Sequence, residues 1–308
     1  MDGVIDLGPA KRLRFAWYFG HDTLYKFRSF RGDSRGWVLD TIKNSRIFLP
    51  HPPAFNDPFD VSPVVMHGGD PYDSEYLREL QSEEARMHKA AGIKGRALYR
   101  RREREGVSIH DLPKAAEADL RRQLRDDVRV LCLTANRLHP LQWSHYADSH
   151  RGLCLHFRCR PGAFGLARQV RYQNRRLPLR IPLQRQSNDA IMDRLVFNKA
   201  KFWSYESEYR IIASESGKAD PILKKGYMYF DPLLLVGITF GLQMPKKDRS
   251  SLMAHARRHN PNIAFWEVIE DRSNFALIAQ RYSGAAASAS QSLSRAIAAT
   301  AASRIGRR

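Results

Sequence analysis

The 308-residue chain has few cysteines and no long apolar run, and both features exclude classes of protein. Its three cysteines, Cys132, Cys154 and Cys159, form no CxxC pair, which argues against a disulfide framework and against a structural zinc site. No segment approaches the roughly 18 consecutive apolar residues of a membrane-spanning helix, and the start of the chain holds Asp2 and Asp6. We therefore expect a cytoplasmic protein with no membrane contact and no metal.

Acidic residues are also scarce, since 32 of them face 51 basic residues for a net charge of +19. None lies between Ser149 and Asn188, a stretch that contains many arginines: Arg151, Arg158, Arg160, Arg168, Arg171, Arg175, Arg176, Arg180 and Arg185. A guanidinium group donates two parallel hydrogen bonds to a phosphate. The pattern predicts attraction to a polyanion, either RNA, DNA or an acidic protein, and the candidate nucleic-acid-binding residues are Arg171, Arg175, Arg176 and Arg180. The alternative is an ordinary solvated basic surface.

Three motifs that would identify a common enzyme fold are missing. The chain contains no GxGxxG after a strand, no GxxxxGK[ST] and no GxSxG. Their absence removes the usual sequence support for a Rossmann domain, a P-loop nucleotide-binding domain or an α/β-hydrolase elbow.

Hydrophobic periodicity predicts an α+β fold around a mixed or antiparallel sheet, with helices mainly in the first half and strands in the second. The predicted strands are 23–27, 46–49, 128–134, 152–157, 169–172, 206–213, 227–230, 234–240, 263–269 and 275–282. The predicted helices are 33–43, 138–148, 189–204 and 246–259. We expect one domain over 1–282 with a charged helical insertion at about 73–127, followed by a flexible Ala/Ser/Arg tail over 283–308.

The strongest local pattern is FWSYESEYR, at a predicted helix-to-strand junction that ends at Arg210. If the strand begins at Glu206, then Glu206, Glu208 and Arg210 share one face of it. Two carboxylates this close repel, which raises at least one pKa unless a cation such as Arg210 or Lys199 separates them. The segment is therefore a candidate active-site strand. The alternative is a solvated edge strand with an ion pair to Arg210.

A second pattern, LQWSHYADSHRG, begins on a predicted helix. Trp143, Tyr146 and His150 would lie on one stripe of that helix, with Trp143 and Tyr146 as core anchors. His139, His145 and His150 lack the i, i+4 spacing of a helical zinc site, which disfavours metal binding.

Two shorter segments near the start complete the set. In LYKFRS, Lys26 and Arg28 would share one strand face, with Tyr25 and Phe27 on the other. The run that contains Asn56, Asp57 and Pro58 predicts an ordered turn in which the asparagine side chain bonds its own backbone.

Taken in order, these segments resemble a bacterial protein family, domain of unknown function 2971. The matching boxes are LYKFRSF (24–30), FNDPFD (55–60), WSHYADSHRGLCLHF (143–157), V-x-Y (170–172) and K-x-x-x-W-x-x-E-x-E-x-R (199–210). The likeness covers about 24–270 and leaves out the charged insertion and the tail.

The order of these parts is also similar to that of the ADP-ribosyltransferase superfamily. The resemblance implies that Glu208 holds the nicotinamide ribose 2′-hydroxyl and stabilises an oxocarbenium-like transition state, while Glu206 orients or activates the acceptor. It also implies an NAD site formed by Tyr25, Lys26, Arg28, Asn56, Ser144, His145, Tyr146 and Arg210. Lys26 or Arg28 would contact the phosphates or ribose, and Tyr25 or Tyr146 would stack on nicotinamide. The segment Ser144-His145-Tyr146, on a predicted helix, stands in place of the usual Ser-Thr-Ser on a strand.

Two functional classes follow. The first is an NAD-dependent ADP-ribosyltransferase or NAD hydrolase, which the resemblance suggests is a toxin or phage-defence effector with nucleic acid as its expected target. The second is a non-catalytic nucleic-acid-binding protein in which the ExExR strand is an ion-paired scaffold and aromatic rings stack on bases. Trp17, Tyr18, Tyr172 and Trp203 are the rings considered for that role.

Overall fold

The computed structural model describes residues 14–283, apart from 71, 77, 81, 83–110, 161, 182, 184–186 and 216–222. The strands are β1 (Thr23–Arg28), β2 (Arg46–Phe48), β3 (Val65–His67), β4 (Val128–Thr134), β5 (Leu153–Arg158), β6 (Arg168–Gln169), β7 (Arg171–Gln173), β8 (Leu179–Ile181), β9 (Asn198–Ala200), β10 (Glu208–Ser214), β11 (Leu223–Lys224), β12 (Tyr227–Tyr229), β13 (Leu235–Phe240), β14 (Ala264–Glu270) and β15 (Leu277–Arg281). The α-helices include α1 (Gly32–Asn44), α2 (Leu112–Asp126), α3 (Pro140–Tyr146), α4 (Asn188–Val196) and α5 (Lys246–His259). The predicted tail, apart from Ser283, and much of the predicted insertion lie outside the described residues.

This set of elements confirms the predicted α+β class with a large mixed sheet. The pair β13 and β14 is parallel, whereas β5 pairs antiparallel with both β1 and β13. Contacts divide the chain into two units. Unit 1 comprises Met1–Ile47, Leu133–Ala167 and Tyr229–Arg308, and unit 2 comprises Phe48–Cys132 and Arg168–Met228.

Unit 1 is built on strands in the order β15-β14-β13-β5-β1, and Tyr25 of β1 also pairs with Thr134 at the end of β4. Tyr25 and Phe27, predicted to share one face of β1, both pack in the core cluster that contains Trp143, and Phe27 lies edge-on to Trp143 of α3 at 4.9 Å. The opposite face of β1 is not fully solvated, because Leu24 is buried. Trp143 is fully buried, as expected of a core anchor, and Tyr146 packs at the margin of the same cluster.

The predicted helix 138–148 is too long, because α3 ends at Tyr146. Asp148, Ser149 and His150 all have positive φ, which a right-handed helix excludes. His150 therefore lies beyond the helix, although its ring still stacks at 6.5 Å on Trp143. Gly152 closes this turn where a Cβ would lie 2.1 Å from the carbonyl oxygen of Arg28, so no larger residue fits.

Unit 2 holds β4, β10 and β6 in that order, the parallel pairs β3–β8 and β7–β9, and the hairpin β11–β12. Helix α2 confirms the helical prediction for the end of the insertion, with Pro113 in its first turn. The core of unit 2 includes Leu124, Val130 and Phe197.

Two predicted elements of unit 2 have different bounds. The helix expected over 189–204 ends at Val196, because the next residues form β9, which pairs with β7, and then a 3-10 helix, Lys201–Glu206. The last strand begins at Glu208 and not at Glu206, because Ser207 adopts a left-handed conformation (φ 46°) that separates helix from strand.

Within the described ranges, no helix combines the length and the apolar character that crossing a membrane would require.

Candidate functional site

A network of five charged side chains lies in unit 2, and we call it the carboxylate network: Asp60, Lys199, Glu206, Glu208 and Arg210. Lys199 comes from β9, Glu206 ends the 3-10 helix, and Glu208 and Arg210 open β10. Asp60 follows a turn in which the Asp57 side chain accepts a hydrogen bond from the backbone N–H of Phe59 at 2.9 Å. The ordered turn expected of the Asn-Asp-Pro sequence is present, and Asp57 supplies this side-chain acceptor. The backbone bond expected of the Asn56 side chain stays a prediction.

Arg210 is the centre of the network. Its Nη1 and Nη2 atoms donate to the two carboxylate oxygens of Asp60 at 2.9 and 2.6 Å, a two-pronged pair. Its Nε and Nη2 atoms donate to the two oxygens of Glu208 at 2.7 and 2.9 Å, and Nη1 also reaches the carbonyl oxygen of Val196 at 2.7 Å. These contacts use the full donor capacity of a guanidinium group, so Arg210 is held in one position.

Lys199 separates the two glutamates, as the sequence predicts for a cation in this segment. Its Nζ atom lies 2.5 Å from Glu206 Oε2, 3.1 Å from Glu208 Oε2 and 3.6 Å from Asp60 Oδ2. The Trp203 ring lies 5.0 Å from the same ammonium group. The ammonium charge thus offsets the repulsion between carboxylates that are close in sequence.

The network is buried, and burial decides its electrostatics. Arg210 is 0% exposed, Glu208 4% and Lys199 8%. Burial alone would raise the pKa of Glu208, but the charges of Arg210 and Lys199 outweigh it and hold that pKa well below the usual glutamate range. Burial lowers and the surrounding carboxylates raise the pKa of Lys199, and the carboxylates prevail. All three groups therefore stay charged at neutral pH.

These contacts correct one expectation and confirm another. The ion pair between Glu208 and Arg210 is present. The solvated edge-strand alternative is wrong on position and exposure, because β10 lies between β4 and β6 and its first three residues are buried.

Tyr172 supports the same network from β7. Its register partner on β9 is Lys199, and its hydroxyl oxygen accepts a 2.8 Å hydrogen bond from the backbone N–H of Glu208. Burial, followed by the charge of Glu208, raises the pKa of this hydroxyl. Because Tyr172 is half-buried and occupied in this way, it is a support of the network more than a stacking surface.

The other predicted NAD-binding residues lie on different elements. Tyr25, Lys26 and Arg28 are half-buried along β1 of unit 1. Ser144 and His145 are exposed on α3, with Tyr146 half-buried after them, which confirms the predicted helical position. Asn56 is exposed in the turn of unit 2.

The predicted nucleic-acid-binding residues are all exposed. We call them the arginine segment: Arg171, Arg175, Arg176 and Arg180. The segment runs beside residues 62–67, because Arg176 donates to the carbonyl oxygen of Ser62 at 2.6 Å and Arg180 to that of His67 at 3.1 Å. Arg171 forms an ion pair with Asp193.

A third guanidinium group converges on the same strip. Arg121 of α2 donates to Ser62 Oγ at 3.0 Å and to the carbonyl oxygen of Pro63 at 3.2 Å. The guanidinium carbon of Arg176 lies 5.8 Å from the centre of the Phe59 ring, whose side chain is 60% exposed. Sequence reasoning did not select Arg121 or Phe59, since their approach to the arginine segment is a tertiary contact.

Asp60 was missed as well, although the box that contains it was noted. It lies 150 positions from Arg210 in the sequence, and no local pattern reports such a pairing. In the described part of the chain, no three histidine, cysteine or acidic side chains are placed to share a metal ion. The three cysteines are free thiols.

No protein-family model, curated protein or solved structure matches the chain. The family resemblance drawn from the sequence boxes remains an expectation, and a functional assignment rests on the geometry.

Proposed function

We propose that this protein binds nucleic acid through the arginine segment of unit 2, with a preference for single strands. The observation that carries the proposal is the pairing of the Arg176 guanidinium group with the exposed Phe59 ring. A cation beside an exposed ring supplies the two contacts that single-stranded nucleic acid requires, one for a phosphate and one for the face of a base.

The charges around this strip favour an anionic ligand. Among the described residues, no carboxylate lies within ion-pair distance of Arg175 or Arg176, whereas Arg171 is partly neutralised by Asp193. Arg176 donates one hydrogen bond to the carbonyl oxygen of Ser62, which fixes its guanidinium group and leaves further N–H groups for phosphate oxygens. Arg121 is held at the same strip by two hydrogen bonds and is partly neutralised by Glu117 at 3.9 Å. Fixed donors cost little entropy when a ligand binds.

The experiment that tests nucleic-acid binding measures the fluorescence anisotropy of labelled single-stranded RNA, single-stranded DNA and duplex DNA as protein is added. The variant Arg175→Gln/Arg176→Gln should bind single strands about tenfold or more weakly, the order expected for two charge-assisted hydrogen-bonding groups. The matched control is Arg122→Gln/Arg125→Gln in the same unit. Those two arginines are exposed but paired with Asp119 and Asp126 at 2.7 and 2.8 Å, so their removal should change affinity little.

Absence of binding by the wild-type protein at low salt, or equal losses in the two double variants, would overturn this proposal.

A second candidate, an NAD-dependent ADP-ribosyltransferase or NAD hydrolase, is favoured by one specific feature of the carboxylate network. Glu208, which the likeness to the ADP-ribosyltransferase superfamily makes the catalytic glutamate, is kept ionised and fixed by Arg210 and Lys199. A fixed anion is suited to stabilising a developing oxocarbenium charge. Its burial argues for a supporting role instead, and this is why we place nucleic-acid binding first.

Nicotinamide release from NAD tests this candidate. A transferase or hydrolase would release nicotinamide in the presence of total RNA or DNA, and Glu208→Gln would lose turnover while its circular dichroism spectrum stays unchanged. No release by the wild-type protein under any condition would remove the enzyme from consideration and leave nucleic-acid binding as the proposal.

A further inference from the structure

Unit 1 contains an aromatic and cationic cluster that the nucleic-acid proposal does not use and that shares only Tyr25 with the expected NAD site. We call it the arginine–aromatic cluster: Tyr25, Arg137, His156, Trp266 and Arg281. Tyr25 lies on β1, His156 on β5, Trp266 on β14 and Arg281 on β15, and Arg137 follows the end of β4. We propose that this cluster is a binding site for a small phosphomonoester, with the Arg137 guanidinium group as its main donor.

The guanidinium group of Arg137 lies against two rings. Its carbon is 5.6 Å from the centre of the Tyr25 ring and 5.2 Å from that of Trp266. The guanidinium carbon of Arg281 lies 4.7 Å from the same Trp266 ring. Two guanidinium groups therefore lie against one indole ring. Cation–π attraction stabilises each contact, whereas two positive charges near the same ring repel each other and favour a bound anion.

No described side chain compensates these charges. Within the ranges that the structure describes, neither Arg137 nor Arg281 forms an ion pair or a side-chain hydrogen bond. His156 bonds Thr239 Oγ1 at 2.7 Å through Nε2, and burial, then the charge of Arg137, hold the pKa of His156 well below its usual range. The imidazole is therefore neutral and contributes no anion.

The backbone holds Arg137 in place before any ligand binds. Its carbonyl oxygen accepts a 2.8 Å hydrogen bond from the indole N–H of the buried Trp143. The neighbouring Asn136 is fixed by Thr134 Oγ1 at 2.9 Å and by the Gln142 side-chain amide at 3.2 Å. Because the loop is held rigid and no described carboxylate pairs with the guanidinium group, Arg137 is preorganised to bind an oxyanion.

The cluster is partly accessible to solvent. Tyr25, Arg137 and Trp266 are half-buried and Arg281 is exposed, so the donors reach solvent while the rings limit the competing water. A phosphomonoester suits the planar donor fork of Arg137 better than a carboxylate does, because it carries close to two charges and three oxygens. A sugar phosphate and a nucleotide share this chemistry.

Isothermal titration calorimetry of the full-length protein with inorganic phosphate, ribose 5-phosphate, adenosine monophosphate and acetate tests the site. We expect saturable binding of the phosphate esters, weakened about tenfold or more by Arg137→Gln and less by Arg137→Lys, which keeps the charge but not the planar fork. Tighter binding of the nucleotide than of ribose 5-phosphate would identify a nucleotide ligand, and equal binding a sugar phosphate.

Arg35→Gln is the matched control, because Arg35 also lies 4.9 Å over a ring, that of Phe30, but is paired with Asp248 at 3.0 Å. It should leave phosphate affinity within about twofold of wild type, since its charge is already compensated. Absence of saturable binding, or an equal loss in Arg35→Gln and Arg137→Gln, would overturn the site. The result is independent of the nucleic-acid proposal, because Arg137→Gln leaves the arginine segment of unit 2 intact.

Discussion

The carboxylate network of unit 2 and the arginine–aromatic cluster of unit 1 place arginine in opposite electrostatic settings. Arg210 is fully buried and donates hydrogen bonds to two carboxylates and a backbone carbonyl oxygen. Arg137 is half-buried, lies against the rings of Tyr25 and Trp266, and forms no ion pair with a described side chain. A buried, compensated cation specifies one conformation, whereas an accessible, uncompensated cation is available to a ligand.

The arginine segment resembles Arg137, because its arginines are accessible and Arg175 and Arg176 are uncompensated. Arg175 and Arg176 are exposed and have no carboxylate at ion-pair distance in the described part of the chain. Formal charge alone does not distinguish these classes, since the network and the segment both contain arginine. The distinction depends on burial and on which acceptors surround each guanidinium group.

The largest expected effect is a loss of stability when the compensated arginine of the carboxylate network is removed. Arg210→Met should lower the free energy of unfolding by about 3–5 kcal/mol, because it leaves Asp60 and Glu208 buried with too few cations. Urea denaturation measures the loss. The exposed Arg122→Met, whose partner is Asp119, serves as the control and should change stability little. A stable Arg210→Met protein would mean that the network does not support the fold.

Acid should weaken the same network. The folded state holds the pKa of Glu208 below its ordinary value of 4.5, so the unfolded chain binds more protons as the pH falls below that value. Stability contributed by Glu208 is therefore present above pH 4.5 and declines below it. Urea midpoints between neutral pH and acid should show this decline and should still show it in Asp40→Asn. Asp40 also has a lowered pKa, from its hydrogen bond with Arg46, but lies in unit 1. A pH-independent midpoint would contradict the assignment.

A packing change can disturb the uncompensated cluster without removing a charge. In Gly237→Ala the new Cβ would lie 2.2 Å from Trp266 Cζ3 and 3.0 Å from His156 Nδ1, so Trp266 must move. We expect a loss of about 1–3 kcal/mol in stability and weaker phosphate-ester binding. Gly36→Ala in α1 is the control, because no atom lies within 4 Å of its added Cβ. Unchanged phosphate binding in Gly237→Ala would separate the ligand site from Trp266.

The sequence predicts some features of these two regions and not others. Alternation along β1 and the buried Trp143 follow from local periodicity, and a cation near Glu206 and Glu208 follows from charge balance over adjacent residues. The start of β10 cannot be predicted in this way, because Ser207 is in the left-handed conformation and ends the preceding helix although the sequence pattern still alternates across it. The approach of Asp60 to Arg210 and of Arg137 to Trp266 depends on strand order, which a single sequence does not encode locally.

The smallest expected effect concerns the ring beside Arg176. Phe59→Ala should weaken single-strand binding by about 1 kcal/mol, the low end of base–aromatic stacking, and leave duplex binding unchanged because paired bases offer no free face. Phe202→Ala removes another exposed ring of unit 2, 68% exposed, and provides the matched control in the same anisotropy assay. Equal losses on single and double strands would argue against stacking by Phe59.

The salt dependence of single-strand binding tests the central claim, that uncompensated arginines of unit 2 contact phosphates. The slope of log affinity against log salt should be less steep by about 1.4 in Arg175→Gln/Arg176→Gln than in wild type, since each lost phosphate contact removes about 0.7. The Arg122→Gln/Arg125→Gln control should keep the wild-type slope. Identical slopes in wild type and Arg175→Gln/Arg176→Gln would contradict the account.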